Sequence, residues 1–263
     1  METGLRDRVA IVAAASQGLG HAVAYALAAE GVKLTICSRS EERIVAAAAQ
    51  IHRQHRTDIL AQAVDLTNAQ AVTELVESTY ERYGRIDICV ANSGGPPSRG
   101  FLETTPEEWQ RAYESNFLSV VHFARAVIPH MQKAHWGRFL AITSVSSKQP
   151  IPNLVYSNAL RPSVSALLKS LSLEFGKDGI LFNSVGPGYT ATARLKEIAS
   201  ARSEATGIPE TEIFESWAAD TSLKRVGTPE EVADVIVWLA SERASNVTGQ
   251  TILVDGGSYR GVL

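Results

Sequence analysis

Gly18 and Gly20 stand in the run Ala13-Ala14-Ala15-Ser16-Gln17-Gly18-Leu19-Gly20-His21, between an apolar segment of strand length at 9–12 and a helical stretch at 22–30. Glycines at a strand-to-helix turn let backbone N–H groups and the helix N-terminus approach a pyrophosphate, so this spacing suits a dinucleotide. An ordinary tight turn is the alternative, and the first glycine of the usual fingerprint is absent. The end of the second apolar run adds a chemical companion. Cys37-Ser38-Arg39-Ser40 has no acidic residue to accept from a ribose 2′-hydroxyl and offers Arg39, whose guanidinium suits a 2′-phosphate. That favours NADP over NAD; the alternative is an arginine that merely starts a helix and points into water. Ala14 matters for the same turn. If its backbone needs positive φ, alanine costs about 1 kcal/mol or more; if φ is negative, the methyl group only narrows the approach to the phosphate.

The elements that must position these groups follow from periodicity. Apolar runs at 9–12, 34–37, 60–64, 86–91, 139–143, 181–185 and 252–254 alternate with longer stretches of helical period. The pattern predicts an α/β fold: a doubly wound, seven-stranded parallel sheet with helices on both faces (Rossmann fold), whose ligand crevice lies outside the carboxyl ends of the strands. Thr105-Pro106-Glu107-Glu108 and Thr228-Pro229-Glu230-Glu231 each place a hydroxyl at the N-cap, proline at the first helical position and glutamate three residues after the cap. Both predict helix starts. The least regular stretch, 189–221, follows the Gly186-Pro187-Gly188 break and reads as a flap on a single domain spanning 1–263.

Composition excludes several function classes. With 263 residues, 45% of them hydrophobic, the chain can bury a full core; its net charge of −3 offers no basic stripe for nucleic acid. No apolar run is long enough to span a membrane, and Glu2, Arg6, Asp7 and Arg8 interrupt any signal-peptide pattern, so a cytoplasmic location is expected. Cys37 and Cys89 fall on predicted strands with another strand between them, roughly 9 to 10 Å apart and beyond disulfide reach. His52 and His55 have helical spacing for a metal pair but no accompanying cysteine or carboxylate cluster, and no metal is expected.

The order of motifs along 5–257 resembles the classical short-chain dehydrogenase/reductase family, and most of all its 3-oxoacyl-carrier-protein reductase type. The glycine turn at Ala14, Gly18 and Gly20 occupies the family's Thr-Gly-x-x-x-Gly-x-Gly position, with Ala13 and Ala14 replacing its threonine and first glycine. Val64-Asp65-Leu66 matches the acidic strand end that hydrogen-bonds the adenine, and Ala91-Asn92-Ser93-Gly94 resembles the segment beside the adenosine ribose. Gly186-Pro187-Gly188 with Thr190 matches the turn at the nicotinamide end. The resemblance implies cofactor contacts from Ala14, Ser16, Gln17, Gly18, Leu19, Ser38, Arg39, Asp65, Leu66, Asn92, Ser93, Gly94, Pro187, Gly188 and Thr190, with NADP (NADPH) as cofactor and a small-molecule ketone or secondary alcohol as substrate.

It also implies roles for Ser144 as holder of the substrate oxygen, Tyr156 as acid/base and Asn116 in a proton path. Each has an ordinary alternative: a turn serine, a packing tyrosine, a locally bonded asparagine. The family's lysine is expected four residues after Tyr156, and Leu160 stands there. Leucine cannot stabilise a phenolate, so a loss of roughly one to four orders of magnitude is expected, or a cofactor-binding protein kept for sensing or assembly. Arg161 and Lys148 are the substitutes within reach, and Pro162 is expected to kink the helix and bring Arg161 inward. The family's dimers and tetramers imply a homo-oligomer through the helices beginning near Pro106 and Tyr156, with Val120, Val121, Ala126, Leu167 and Leu171 as apolar contact residues or as residues facing the sheet.

Overall fold

The computed structural model describes residues 2–262. Seven strands form one parallel sheet: β1 (Val9–Ala13), β2 (Lys33–Ser38), β3 (Ile59–Ala63), β4 (Ile88–Ala91), β5 (Gly137–Ile142), β6 (Ile180–Pro187) and β7 (Gln250–Val254). Their order across the sheet is β3-β2-β1-β4-β5-β6-β7. The strand order reverses between β1 and β4, so a crevice opens there at the carboxyl ends. The fourth strand starts at Ile88, two residues later than its apolar run, because the Asp87 carboxylate is tied to Val9 N–H, Arg8 and Arg85.

Both faces are covered. Alternate strand residues point to opposite sides, so Ala10, Val12, Leu34, Ile36 and Val90 pack under α1 (Gly18–Ala29), α2 (Glu41–His55) and α9 (Pro229–Ala240). Ile11, Ala13, Cys89, Phe139 and Phe182 pack under α3 (Ala69–Tyr83), α5 (Ser119–Ala134) and α6 (Val155–Phe175). Two-sided burial is why the central strands read as unbroken apolar runs. β1 separates Cys37 from Cys89 as expected, and both thiols are free and buried.

The predicted capping boxes are present: Thr105 accepts from Glu108 N–H at the start of α4 (Pro106–Tyr113), and Thr228 accepts from Glu231 N–H at the start of α9. The stretch 189–221 carries α7 (Ala193–Thr206) and α8 (Glu210–Asp220), which enclose a small apolar cluster of Leu195, Ala199, Ile213 and Trp217.

Pro162 stands inside α6, which continues over 21 residues, and Arg161 beside it is buried. Val120 is buried against the sheet, and Ala126, Leu167 and Leu171 pack partly buried against the same core, so these residues serve the interior first. No helix among the described residues is long and apolar enough to cross a membrane, and no group of histidines, cysteines and carboxylates among them could hold a metal. His52 instead meets the Thr57 carbonyl through Nδ1.

Candidate active site

β1 turns into α1 through a backbone that alanine rarely adopts, with Ala14 at φ 50° and Gly18 at φ 60°. A Cβ on Gly20 would run into the Ala14 carbonyl, so the helix can lie against the turn only with glycine there. Gln17 caps α1 without a side-chain hydrogen bond, and no acidic residue occupies the first turn. The first N–H groups of α1 and its positive dipole end are therefore left for an anion. Asn92 Nδ2 donates to the Ala13 carbonyl at 3.4 Å, tying this turn to the end of β4.

Arg39 is exposed just past β2 and forms no salt bridge among the described residues, while Ser38 Oγ donates to the Ser40 carbonyl and Ser40 caps α2. Asp65 is exposed and accepts from Thr67 N–H and Oγ1. Leu66 offers its carbonyl to His122. Gly94 has open space around it. At the other end of the crevice, a Cβ on Gly188 would meet Asp255 Cα at 2.7 Å, which explains the glycine after Pro187. Thr190 Oγ1 donates to the Gly188 carbonyl. The flap reaches back over the crevice: Thr192 lies nearest to Gly18, and Arg194 Nη2 donates to the Pro96 carbonyl at 2.8 Å. Glycine turn, strand ends and Arg39 thus all lie at the carboxyl ends of the strands, where a doubly wound sheet opens its ligand crevice.

The expected catalytic residues separate into two groups. Ser144 follows β5 and caps a short 3-10 turn, its Oγ accepting from Ser146 N–H at 3.1 Å, which leaves its own O–H to donate. Gly186 makes room for it, since a Cβ there would meet the Ser144 carbonyl at 2.8 Å. Asn116 is buried in a π-turn, Glu114–Leu118, between α4 and α5. Its amide donates to Ala112 O and Ser115 Oγ, and its Oδ1 accepts from Ser93 Oγ, so it joins the π-turn to the loop after β4. Single π-turns of this kind recur at functional sites.

Tyr156 lies elsewhere. Its side chain is wholly buried with Ala112 and Leu160, edge-on to Trp109 at 4.7 Å, and its hydroxyl donates to Glu108 Oε2 at 2.7 Å. Burial, and then the Glu108 carboxylate, raise its pKa above the ordinary phenol value, whereas a catalytic acid needs it lowered. The expectation that Tyr156 offers its hydroxyl to a substrate is not met by this placement. Helix rotation explains the difference: one residue along α6 is about 100° of turn. Glu108 was legible only as part of a capping box, and it doubles here as the phenol's acceptor.

Arg161 points from α6 at the sheet. It is 7% exposed, and its Nη1 donates to the carbonyl of Ile142, the last residue of β5. Burial lowers its pKa to about 10. Lys148, the other substitute, is exposed.

The family model described as Enoyl-(Acyl carrier protein) reductase matches residues 13–259. The 3-oxoacyl-[acyl-carrier-protein] reductase of Synechocystis sp. is 34% identical, covering 97% of this chain and 98% of its own. L-sorbose reductase from Gluconobacter frateurii, solved with NADPH and L-sorbose, is 29% identical with a TM-score of 0.95, and both chains are covered completely. An NADPH-bound short chain oxidoreductase from Pseudomonas aeruginosa PAO1, described as containing an atypical catalytic center, is 27% identical with a TM-score of 0.91, covering 99% of this chain and 100% of its own. Fold, motif order and these relatives agree: the chain belongs to the short-chain dehydrogenase/reductase family of oxidoreductases.

Proposed function

We propose that this protein is an NADPH-dependent reductase of a ketone, able in reverse to oxidise a secondary alcohol, with a catalytic site that departs from the usual serine, tyrosine and lysine set. The observation that carries the reading is the exposed, unpaired Arg39 beside an uncapped α1 N-terminus that has no acidic residue in its first turn. Such a pair suits a pyrophosphate and a 2′-phosphate together. Relatives solved with NADPH, among them a sugar ketone reductase, support it.

When bound, the dinucleotide supplies hydride to the substrate carbonyl carbon. Ser144 then donates its free O–H to the carbonyl oxygen, and Arg161 brings positive charge to the same strand end. Asn116 keeps the loop after β4 against the π-turn, which holds the floor of the site. The second reading, a cofactor-binding protein without useful turnover, is favoured by the engagement of the Tyr156 hydroxyl with Glu108.

The test is titration of the purified protein with NADPH and with NADH, followed by calorimetry, and then NADPH oxidation in the presence of ethyl acetoacetate and L-sorbose. Micromolar NADPH binding with weaker NADH binding and measurable oxidation is expected. Binding of neither dinucleotide would overturn the reductase reading; NADPH binding without oxidation of any carbonyl would leave the second reading.

A further inference from the structure

The amino end of α6 presents two pairs of residues one turn apart, Tyr156 with Leu160 and Ser157 with Arg161. Members of a pair share a face, and the two faces lie about 100° apart. Contacts fix the direction of each. Tyr156 and Leu160 are enclosed with Ala112 and Trp109 against α4, and Arg99 stands 3.7 Å from Glu108 on the far side of the phenol's acceptor. Arg161 reaches the carboxyl end of β5, two residues before Ser144.

The Arg161 guanidinium makes one hydrogen bond, to a neutral carbonyl, and forms no ion pair among the described residues. A buried cation left in this state is unfavourable until an electron-rich group meets it. Ser157 is partly exposed, and its hydroxyl forms no hydrogen bond among the described residues. Helical serines commonly bond back to the carbonyl four residues earlier, but here Asn153 O already accepts from Arg99 N–H and Ser98 Oγ. A free hydroxyl and an uncompensated guanidinium therefore share the face of α6 that looks towards Ser144.

We propose that Ser157 and Arg161 replace Tyr156 and Leu160 as the working face of α6, Arg161 holding positive charge beside the reacting oxygen and Ser157 relaying its proton. This rests on the reductase reading. In the reducing direction hydride adds to the carbonyl carbon and the π pair moves onto oxygen. That oxygen takes a proton from a water held by Ser157 Oγ; the serine proton passes to the water, and solvent returns one to the serine. Ketone, NADPH and one proton give alcohol and NADP⁺. Neither an aliphatic hydroxyl nor arginine titrates near neutrality, so kcat should be flat between about pH 6 and 9.

A labelling experiment reads the geometry without turnover. Cys37 and Cys89 are buried, so Ser157→Cys supplies the one thiol open to a disulfide reagent. Saturating NADP⁺ should slow its labelling about tenfold or more, while Ala159→Cys, at an exposed position, labels equally with and without cofactor. With ethyl acetoacetate as probe, the double variant Ser157→Tyr, Arg161→Lys should raise kcat about tenfold or more, within the range ascribed to a placed acid and its charge. Leu160→Lys should not raise it.

Three results would overturn the proposal: no protection of Ser157→Cys at saturating NADP⁺; a gain from Leu160→Lys that the double variant lacks, with both folded by thermal melting; or loss of more than about 100-fold in kcat on Tyr156→Phe at unchanged NADPH affinity. Failure of the unaltered protein to bind NADPH would instead refute the reductase reading beneath it.

Discussion

Replacing Ala14 by glycine should stabilise the protein. Ala14 holds φ at 50°, a region where the side-chain Cβ crowds its own carbonyl at a cost of about 1 to 2 kcal/mol. Glycine removes that strain but gives the unfolded chain more freedom, which takes back about 0.4 to 1 kcal/mol. The net gain lies between about 0 and 1.6 kcal/mol, centred on about 0.8 kcal/mol. For a chain of 263 residues, an unfolding entropy of about 2 cal/mol/K per residue turns the central value into a rise in Tm of about 1.5 °C and the upper one into about 3 °C. Differential scanning calorimetry on both proteins without cofactor, in one buffer, resolves such a shift. NADPH affinity measured alongside should not weaken, because the methyl group stands at the turn that would approach the pyrophosphate. A fall in Tm of 1 °C or more would refute the reasoning, since it would mean that the methyl group contributes more packing than its backbone conformation takes away.

Arg39→Asp should shift the NADPH to NADH affinity ratio towards NADH by about 10- to 100-fold, the worth of a charge-assisted contact to a phosphate; an unchanged ratio would place the 2′-phosphate elsewhere. Glu231 accepts from Arg225 and from Thr228 N–H, in that order of effect, and its pKa is held down at about 2. A depressed carboxyl stabilises the fold above its unfolded pKa near 4.5 and loses that contribution as pH falls towards 2. Glu231→Gln should therefore have a lower Tm than the unaltered protein at pH 7, with the gap closing between about pH 4.5 and 2.5 and narrowing in high salt. A gap that stays constant with pH would show that helix capping alone, and not charge, links Glu231 to stability.

The layout of strands and helices was legible because burial on both faces of a parallel sheet forces long apolar runs, as in Val9–Ala13 and Ile88–Ala91, and because capping boxes mark helix starts by residue type. The expected cofactor end rests on a related signal: glycine and arginine announce backbone approach and phosphate chemistry by identity. The catalytic end was not legible in this way. Tyr156 and Ser157 are neighbours in sequence and look in different directions, and only the contacts of Glu108, Trp109 and Ile142 show which face of α6 meets α4 and which meets the sheet. The pairing of Ser157 with Arg161 at four residues was visible as a pattern, but a more familiar residue type one position earlier masked it. Pro162 lies in an α6 that continues past it, with Val164 and Leu168 packed against the sheet.

The reach of Arg194 from α7 to the Pro96 carbonyl, with Thr192 over Gly18, has a kinetic side. The hydrogen bond links the flap to the loop after β4. Where a bound dinucleotide passes under this link, exchange of spent for fresh cofactor would require it to break and re-form. Opening of the flap would then be a step of its own in each cycle, separate from the chemistry at Ser144.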